Sequence, residues 1–360
     1  MLNRQTGTVK SLKKITEGLE EALVEIQGAE AKAYVFPFLT GQLQPNDEVL
    51  LNTTAVDLKL GSGGYHFVMG KLQDQQVKYT TPGHIMKLRY TPLQLKVCAV
   101  EEPDSPHHAL MVRVQSLSGT PVICGSLHSM LIPCVCGLVS VNPRLKIAYV
   151  MTDGGALPLA LSQAVASLKK NSLLCGTVTT GHAFGGDYEA VNLYSGLLAA
   201  KEILKADVII VLMGPGVVGT GTTWGNTALE VGQIINAVTT LDGVAYCIPR
   251  LSFAEKRTRH LGISHHTLTA LGKVALGAAS IVLPALNDGQ KEIVLTQLKR
   301  EGMEKHRLIW GRGHDGIRLA CELGLMMSHM GRSYEEDPLF FLAGAAAGEE
   351  VARRVNCELM

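Results

Sequence analysis

The sequence predicts an α/β protein: a mostly parallel, doubly wound, Rossmann-like sheet preceded by a smaller β-rich, barrel-like domain. Three observations predict it. Residues from about 7 to 102 carry short β-leaning runs with no convincing helix period between them. From about residue 106 onward, apolar strand-like runs alternate with helix-period segments. Residues 207–213 (DVIIVLM) then open directly into a glycine- and threonine-rich loop, 214–225 (GPGVVGTGTTWG). A glycine loop between a buried strand and a helix is a natural place to hold an anion.

Taken in order, residues 8–13, 22–27 and 32–39 read as strands separated by Gly, Glu or Asn/Pro signals. Residues 49–60 continue the pattern, with Val56, Leu58 and Leu60 alternating with polar partners. Residues 65–72, 85–90 and 93–100 follow, and Gly61-Ser62-Gly63-Gly64 reads as a tight turn. Many short strands at this spacing suggest a small barrel. Glu101-Glu102-Pro103-Asp104-Ser105-Pro106 is polar, holds two prolines and reads as a linker. The expected domains are therefore 1–105, β-rich, and 106–360, α/β.

In the second domain strands are expected at 122–125, 146–151, 174–179, 207–213, 244–248, 280–283 and 307–310. Helices are expected at 157–169, 188–204, 227–241, 265–278, 289–300 and 337–355. Strands too apolar to face water imply a parallel sheet covered on both sides. Seven strands fit an open sheet, whereas an eight-fold barrel would need one more.

Composition narrows the function classes. With 360 residues the chain can bury a large core, and 46% hydrophobic against 18% charged residues suits a well-packed soluble protein. A net charge of +1 makes no electrostatic case for nucleic acid or an acidic membrane as main partner. The first twelve residues lack the apolar core of a signal peptide, and no uncharged apolar run reaches membrane-spanning length. The eight cysteines include no C-x-x-C pair; Cys134 and Cys136 read as two buried thiols, and a reducing cytoplasm fits.

In a parallel sheet all strand carboxyl ends share one edge, where ligands bind. The residues expected there include His128, Asp153, the turn Gly181–Asp187, the loop after residue 213 and Arg250, with Arg257, Arg259, His260, His265 and His266 in the next connection. Gly214, Gly216, Gly219, Thr220, Gly221 and Thr222 are the expected anion-holding residues, helped by Arg250, Arg257, Arg259, His128 and His265. His182 sits at a strand end among glycines, and an imidazole suits proton transfer, so it is the expected general acid/base. Asp187 or Asp153 would orient or tune it, although the stronger reading of Asp187 is as the N-cap of a helix starting at Tyr188.

Several alternatives stay open. Gly214-x-Gly216-x-x-Gly219 matches the dinucleotide fingerprint, but Thr227 with Glu230 looks like a capping box that starts the helix too late. Arg250 rather than an acid ends the next strand, which leaves NADP open and disfavours NAD. No Lys follows Gly219, so the loop is not a P-loop. Adjacent helical residues point about 100° apart, so only one of His265 and His266 is expected to face the site. No metal-ligand spacing is recognisable among the histidines and acids, and no metal site is assigned.

Six stretches, NTTAVDLKLGSGGYHFV (52–68), MKLRYTPLQ (86–94), YVMTDGGALP (149–158), TVTTGHAFGGDYEAVN (177–192), the Gly214 loop and SHHTLTAL (264–271), carry a resemblance covering nearly the whole chain. The chain resembles a bacterial family, mainly of Gram-positive lineages, catalogued as a domain of unknown function. The resemblance implies a soluble bacterial protein and brings no catalytic residues with it. On the residues alone, the first expectation is an enzyme acting on a phosphorylated or nucleotide-like small molecule. A ligand-sensing or assembly protein and an NADP-linked oxidoreductase are the alternatives. Cofactor, reaction and oligomeric state are not read from the sequence.

Overall fold

The computed structural model describes residues 2–73, 82–300 and 303–358. The chain divides into two compact units, one of Met1–Thr81 with Leu88–Leu95, the other of Pro82–Lys87 with Lys96–Met360.

The first unit is a closed barrel of β1 (Arg4–Thr16), β2 (Leu19–Ile26), β3 (Ala29–Val35), β4 (Glu48–Asn52) and β5 (His66–Lys71) in the order β1-β2-β3-β5-β4. Closure leaves no exposed strand edge. Gln27 and Gly28 both have positive φ, the geometry of a two-residue turn that matches strand twist, and they join β2 to β3. Val9, Val24, Val35, Val49, Leu51 and Val68 point inward and form the barrel's own core. The expected strand over 49–60 ends at Asn52. Helical turns α1 (Pro37–Thr40) and α2 (Thr54–Asp57) interrupt the extended chain, and Leu58 and Leu60 are exposed. The reason is local: the Asp57 carboxylate accepts from Thr53 Oγ1 at 2.7 Å and from Asn3 Nδ2 at 2.9 Å, bonds that favour a turn over a strand.

β6 (Ile85–Lys87) and β7 (Leu95–Val97, in the second unit from Lys96 on) form a short ribbon, and α3 (His108–Arg113) follows in the second unit. Glu101–Pro106, read as a linker, lies within this unit and is tied down. The buried Glu102 carboxylate accepts from the amides of Ala99 at 2.6 Å and His84 at 2.5 Å. Then come β8 (Pro121–Gly125), α4 (Leu131–Val141), β9 (Ile147–Thr152), α5 (Gln163–Lys170), β10 (Gly176–Thr180), β11 (Tyr188–Ala190), α6 (Leu193–Glu202), β12 (Val208–Met213), α7 (Glu230–Thr240) and β13 (Val244–Ile248). A two-stranded ribbon, β14 (Leu251–Ser252) with β15 (Gly262–Ile263), precedes α8 (His265–Thr269). The rest is β16 (Ser280–Pro284), α9 (Asp288–Arg300), β17 (Arg307–Gly311), α10 (His314–Glu322) and α11 (Pro338–Glu358).

The main sheet has eight strands in the order β11-β10-β9-β12-β8-β13-β16-β17, and every pairing is parallel. All seven expected strands are present. The eighth, β11, takes residues assigned to a helix, and α6 starts at Leu193 behind the N-cap Asn192. β9 and β12 are buried at every position, as near-continuous apolar runs in a two-sided parallel sheet should be.

The chain winds both ways from the middle. From β8 it runs through α4 to β9 on one side, and from β12 it runs through α7 to β13 on the other. Right-handed crossovers therefore place α4 and α7 on opposite faces, and the adjacent strands β8 and β12 form a switch point. α4, α10 and α11 pack together, with α11 against β16 and β13. Helix α4 lacks a period in the sequence because LIPCVCGLV is apolar all round, and Leu131–Leu138 are all buried.

Candidate functional site

A cavity of about 600 Å³ opens at this switch point. Leu127, His128 and Ser129 after β8, and Pro215, Gly216, Val217 and Gly219 after β12, form part of its wall. Arg250, Arg257, Arg259, His260 and His266 close another side, and Met326–Met330 supply a rim. Three guanidiniums line it and, among the described lining residues, no carboxylate does.

Arg250 is buried, and burial followed by the nearby Arg257 charge pushes its pKa down to about 10. Behind it, Glu255 pairs with Arg257 at 2.7 Å, Arg332 at 3.6 Å and Arg250 at 3.7 Å. Asp337 pairs with Arg332 at 3.5 Å and accepts from Ser252 Oγ. The Arg257 hydrogen bond holds the Glu255 carboxyl down to about 2. Three arginines against two carboxylates leave positive charge, and Arg259 adds to it. The cavity wall therefore carries a net positive charge.

Its histidines are neutral near pH 7. Burial first, then the arginine charges, pushes His260 down to about 3 and His329 to about 3. Burial, His265 and Arg250 push His266 down to about 4. His128 is driven down to about 4 by burial. His128 Nδ1 meets the Tyr149 hydroxyl at 3.2 Å and Nε2 meets Ser162 Oγ at 2.6 Å. Tyr149 donates to the Leu212 carbonyl and Ser162 Oγ accepts from Val165 N, so the network assigns the Nδ1–H tautomer to His128.

This has a measurable consequence for His128 and His329. Their folded pKa values lie below the ordinary 6.5, so the unfolded chain takes up protons that the folded one refuses. Stability should be constant above about pH 7 and fall as pH drops from about 6.5 toward 4, each withdrawing roughly 2 kcal/mol by pH 5. Melting curves of wild type and of the double variant His128→Gln/His329→Gln between pH 7.5 and 5 check it. The variant should show the flatter dependence, and identical slopes would contradict it.

The glycine loop divides. Pro215–Val217 and Gly219 face the cavity, whereas Thr220–Gly225 fold on themselves: Thr220 N donates to Gly225 O at 2.8 Å and Gly225 N to Thr222 Oγ1 at 3.0 Å. Thr220, Gly221 and Thr222 are thus part of an exposed turn and do not line the cavity. Gly214 is buried beneath Leu157, where a Cβ would lie 2.9 Å from Leu157 Cδ1. Gly219 has a different reason to be glycine: a Cβ there would meet His266 Nε2 at 2.8 Å. Glu230 does not close a capping box on Thr227. Its carboxylate accepts from Thr152 Oγ1 at 2.8 Å, and α7 begins only at Glu230. The helix therefore does not open on the Gly214-x-Gly216-x-x-Gly219 motif, as a dinucleotide turn requires.

The three expected catalytic residues do not line the cavity. β9 stands between β10 and β12, so the turn after β10 is two strands from the switch point, roughly 10 Å away at ordinary spacing. Asp187 is not a helix cap: its carboxylate accepts from Thr177 N and Thr177 Oγ1, both at 2.9 Å, and pairs with Lys169 at 2.5 Å. Burial opposes that charge, but these bonds outweigh it and hold the carboxyl below its usual range. Thr177 lies at the start of β10, so Asp187 latches the turn to the far end of the strand. Lys87 and Glu189 secure the same turn from inside, with Nζ 3.0 Å from Oε2 and 2.8 Å from the Ala183 carbonyl. His182 is half-buried in this latched turn. Asp153 packs on Gly181, where a Cβ would lie 2.5 Å from its Oδ2.

Of the other expected ligand residues, His128, Gly216, Gly219, Arg250, Arg257 and Arg259 come together around the cavity. His265 does not line it; its neighbour His266 does. One-sidedness was legible in the helix period, but which histidine faced inward was not. His265, His266 and His260 form a cluster with one ring nitrogen from each within 4.8 Å of the others. Their separation in sequence gives no metal signature, because a ribbon turn rather than a helical repeat brings His260 to the pair. The Met326–Met330 rim and His329, stacked on Phe340 at 3.9 Å, also went unread, since nothing local marks that segment as facing a site.

A family model, described as a protein of unknown function (DUF3866), matches residues 32–348. The chain belongs to that family. Comparison with curated proteins finds no match. No helix among the described residues is long and apolar enough to cross a membrane.

Proposed function

We propose that the protein is a bacterial, cytoplasmic enzyme that binds a phosphorylated or nucleotide-like small molecule in the switch-point cavity. The observation that carries this reading is the cavity of about 600 Å³ lined by Arg250, Arg257 and Arg259, with no carboxylate among the described lining residues. Its size suits a small molecule of nucleotide dimensions, and planar guanidiniums recognise phosphate oxygens in pairs. The cavity-facing part of the glycine-rich loop, Gly216 to Gly219, lets backbone approach the ligand closely. Chemistry at that ligand falls to the neutral histidines of the cavity wall rather than to His182, Asp187 or Asp153. Free thiols at all eight cysteines suit a reducing compartment. The NADP-linked reading is weaker, because α7 starts well beyond the glycine motif.

The test is a thermal-shift series with inorganic phosphate, pyrophosphate, nucleotides, sugar phosphates and NADP. A ligand at a hundred times its dissociation constant adds roughly 2.7 kcal/mol, a shift of several degrees. At least one phosphorylated compound should raise the melting temperature, and Arg257→Ala/Arg259→Ala should abolish the rise. Binding without turnover would favour a sensing role. No shift across the series would end the anion reading.

A further inference from the structure

We propose that His260, His265 and His266 form a three-imidazole site for a divalent transition metal of the zinc type, in the wall of the cavity. One ring nitrogen from each lies within 4.8 Å of the others. The rings are close to one another, with centroids 4.3 Å apart for His265 and His266 and 5.0 Å for His260 and His266. A second observation points to a missing partner: His265 Nε2 and His266 Nδ1 are buried without a hydrogen bond, and His266 is only 4% exposed. A buried nitrogen left unpaired is costly, and a metal ion would satisfy it.

The surroundings orient the set. His260 Nδ1 lies 2.7 Å from Ser264 Oγ, which also accepts from His266 N as the N-cap of α8. One hydroxyl thereby fixes His260 and the helix turn that carries the other two. A ligand histidine held through its second nitrogen is the usual supporting arrangement of metal sites. Three neutral imidazoles suit zinc, cobalt or nickel, whereas calcium and magnesium demand oxygen. Tetrahedral Zn–N bonds of about 2.0–2.1 Å place ligand nitrogens about 3.4 Å apart, so the rings would close by roughly an ångström.

Two features oppose the ion, and both make the assignment testable. Arg259 Nε donates to His260 Nε2 at 3.3 Å, and Arg250 and Arg257 add positive charge nearby. Arg259 is exposed and can swing away. Removing its charge should therefore strengthen metal binding, the opposite of its effect on a phosphate. The metal assignment stands without the anion reading, and an anion in the cavity would offset the charge and offer the fourth ligand.

The experiment strips the full chain with a chelator and titrates it in phosphate-free buffer, with Zn²⁺ by calorimetry and Co²⁺ by visible absorption. Wild type should bind one equivalent and show the d–d bands of four-coordinate cobalt. His260→Gln, His265→Gln and His266→Gln should each weaken binding by at least about tenfold, and Ser264→Ala by about tenfold while keeping all three imidazoles. His182→Gln should match wild type, and Arg259→Met should bind at least about threefold more tightly. Each variant is melted beforehand; if a histidine variant does not fold, Ser264→Ala and Arg259→Met decide. No stoichiometric metal in wild type overturns the assignment, as does an affinity unchanged in the folded histidine variants or in Ser264→Ala, or an affinity unchanged or lowered in Arg259→Met. Because no phosphate is present, failure here leaves the anion reading to its own thermal-shift result.

Discussion

Gly137→Val should remove roughly 3–5 kcal/mol of stability, a large part of what a domain has. A Cβ at Gly137 would lie 2.2 Å from the Ala345 carbonyl oxygen, and one at Gly348 would lie 2.2 Å from the Cys134 carbonyl oxygen. Gly316 on α10 touches the same spot, where a Cβ would come within 2.7 Å of the Gly137 Cα. Helices α4, α10 and α11 thus meet backbone to backbone, and no rotamer change can make room. The layer they form covers the face of the sheet below the switch point, so the cavity depends on it. A midpoint lowered by roughly 10 °C, with binding of any phosphorylated ligand weakened in parallel, is the expected result. A shift of a degree or two would show that the helices can separate cheaply.

Arg250→Met should act on binding and spare the fold. Arg250 is buried, reaches the cavity and lies 3.7 Å from Glu255, whose nearer partner is Arg257 at 2.7 Å. Losing Arg250 therefore leaves Glu255 paired, and methionine fills much of the space. A buried charge facing an anionic ligand is worth about 2–4 kcal/mol, so affinity for the phosphorylated ligand should fall roughly 30- to 1000-fold. Calorimetry on wild type and variant measures this directly. An affinity within threefold of wild type would place the anion elsewhere.

The sheet and the barrel were legible because burial writes itself into strands. β12 is a continuous apolar run since both its faces are covered, and Val9, Val24 and Val35 recur at barrel positions where closure demands inward side chains. The arginines of the cavity were legible for a similar reason: strand carboxyl ends in a parallel sheet must share an edge. Helix α4 and strand β11 were less legible, the first because an all-apolar helix has no period, the second because three residues carry too little pattern.

What the sequence by itself determined is therefore the class of fold, the sheet edge at which the cavity opens and the positive character of that edge. Only the tertiary structure decided which turns reach the cavity. Strand order is set by crossovers, not by sequence proximity, and β9 between β10 and β12 moves the Gly181–Asp187 turn away from the glycine loop. Asp187, read alone, could cap, catalyse or latch; the 2.9 Å bonds to Thr177 make it a latch. His260, His265 and His266 likewise become one cluster only when β14 and β15 pair and return the chain to α8. Side-chain chemistry is local and can be read along the chain, but convergence is a property of the fold.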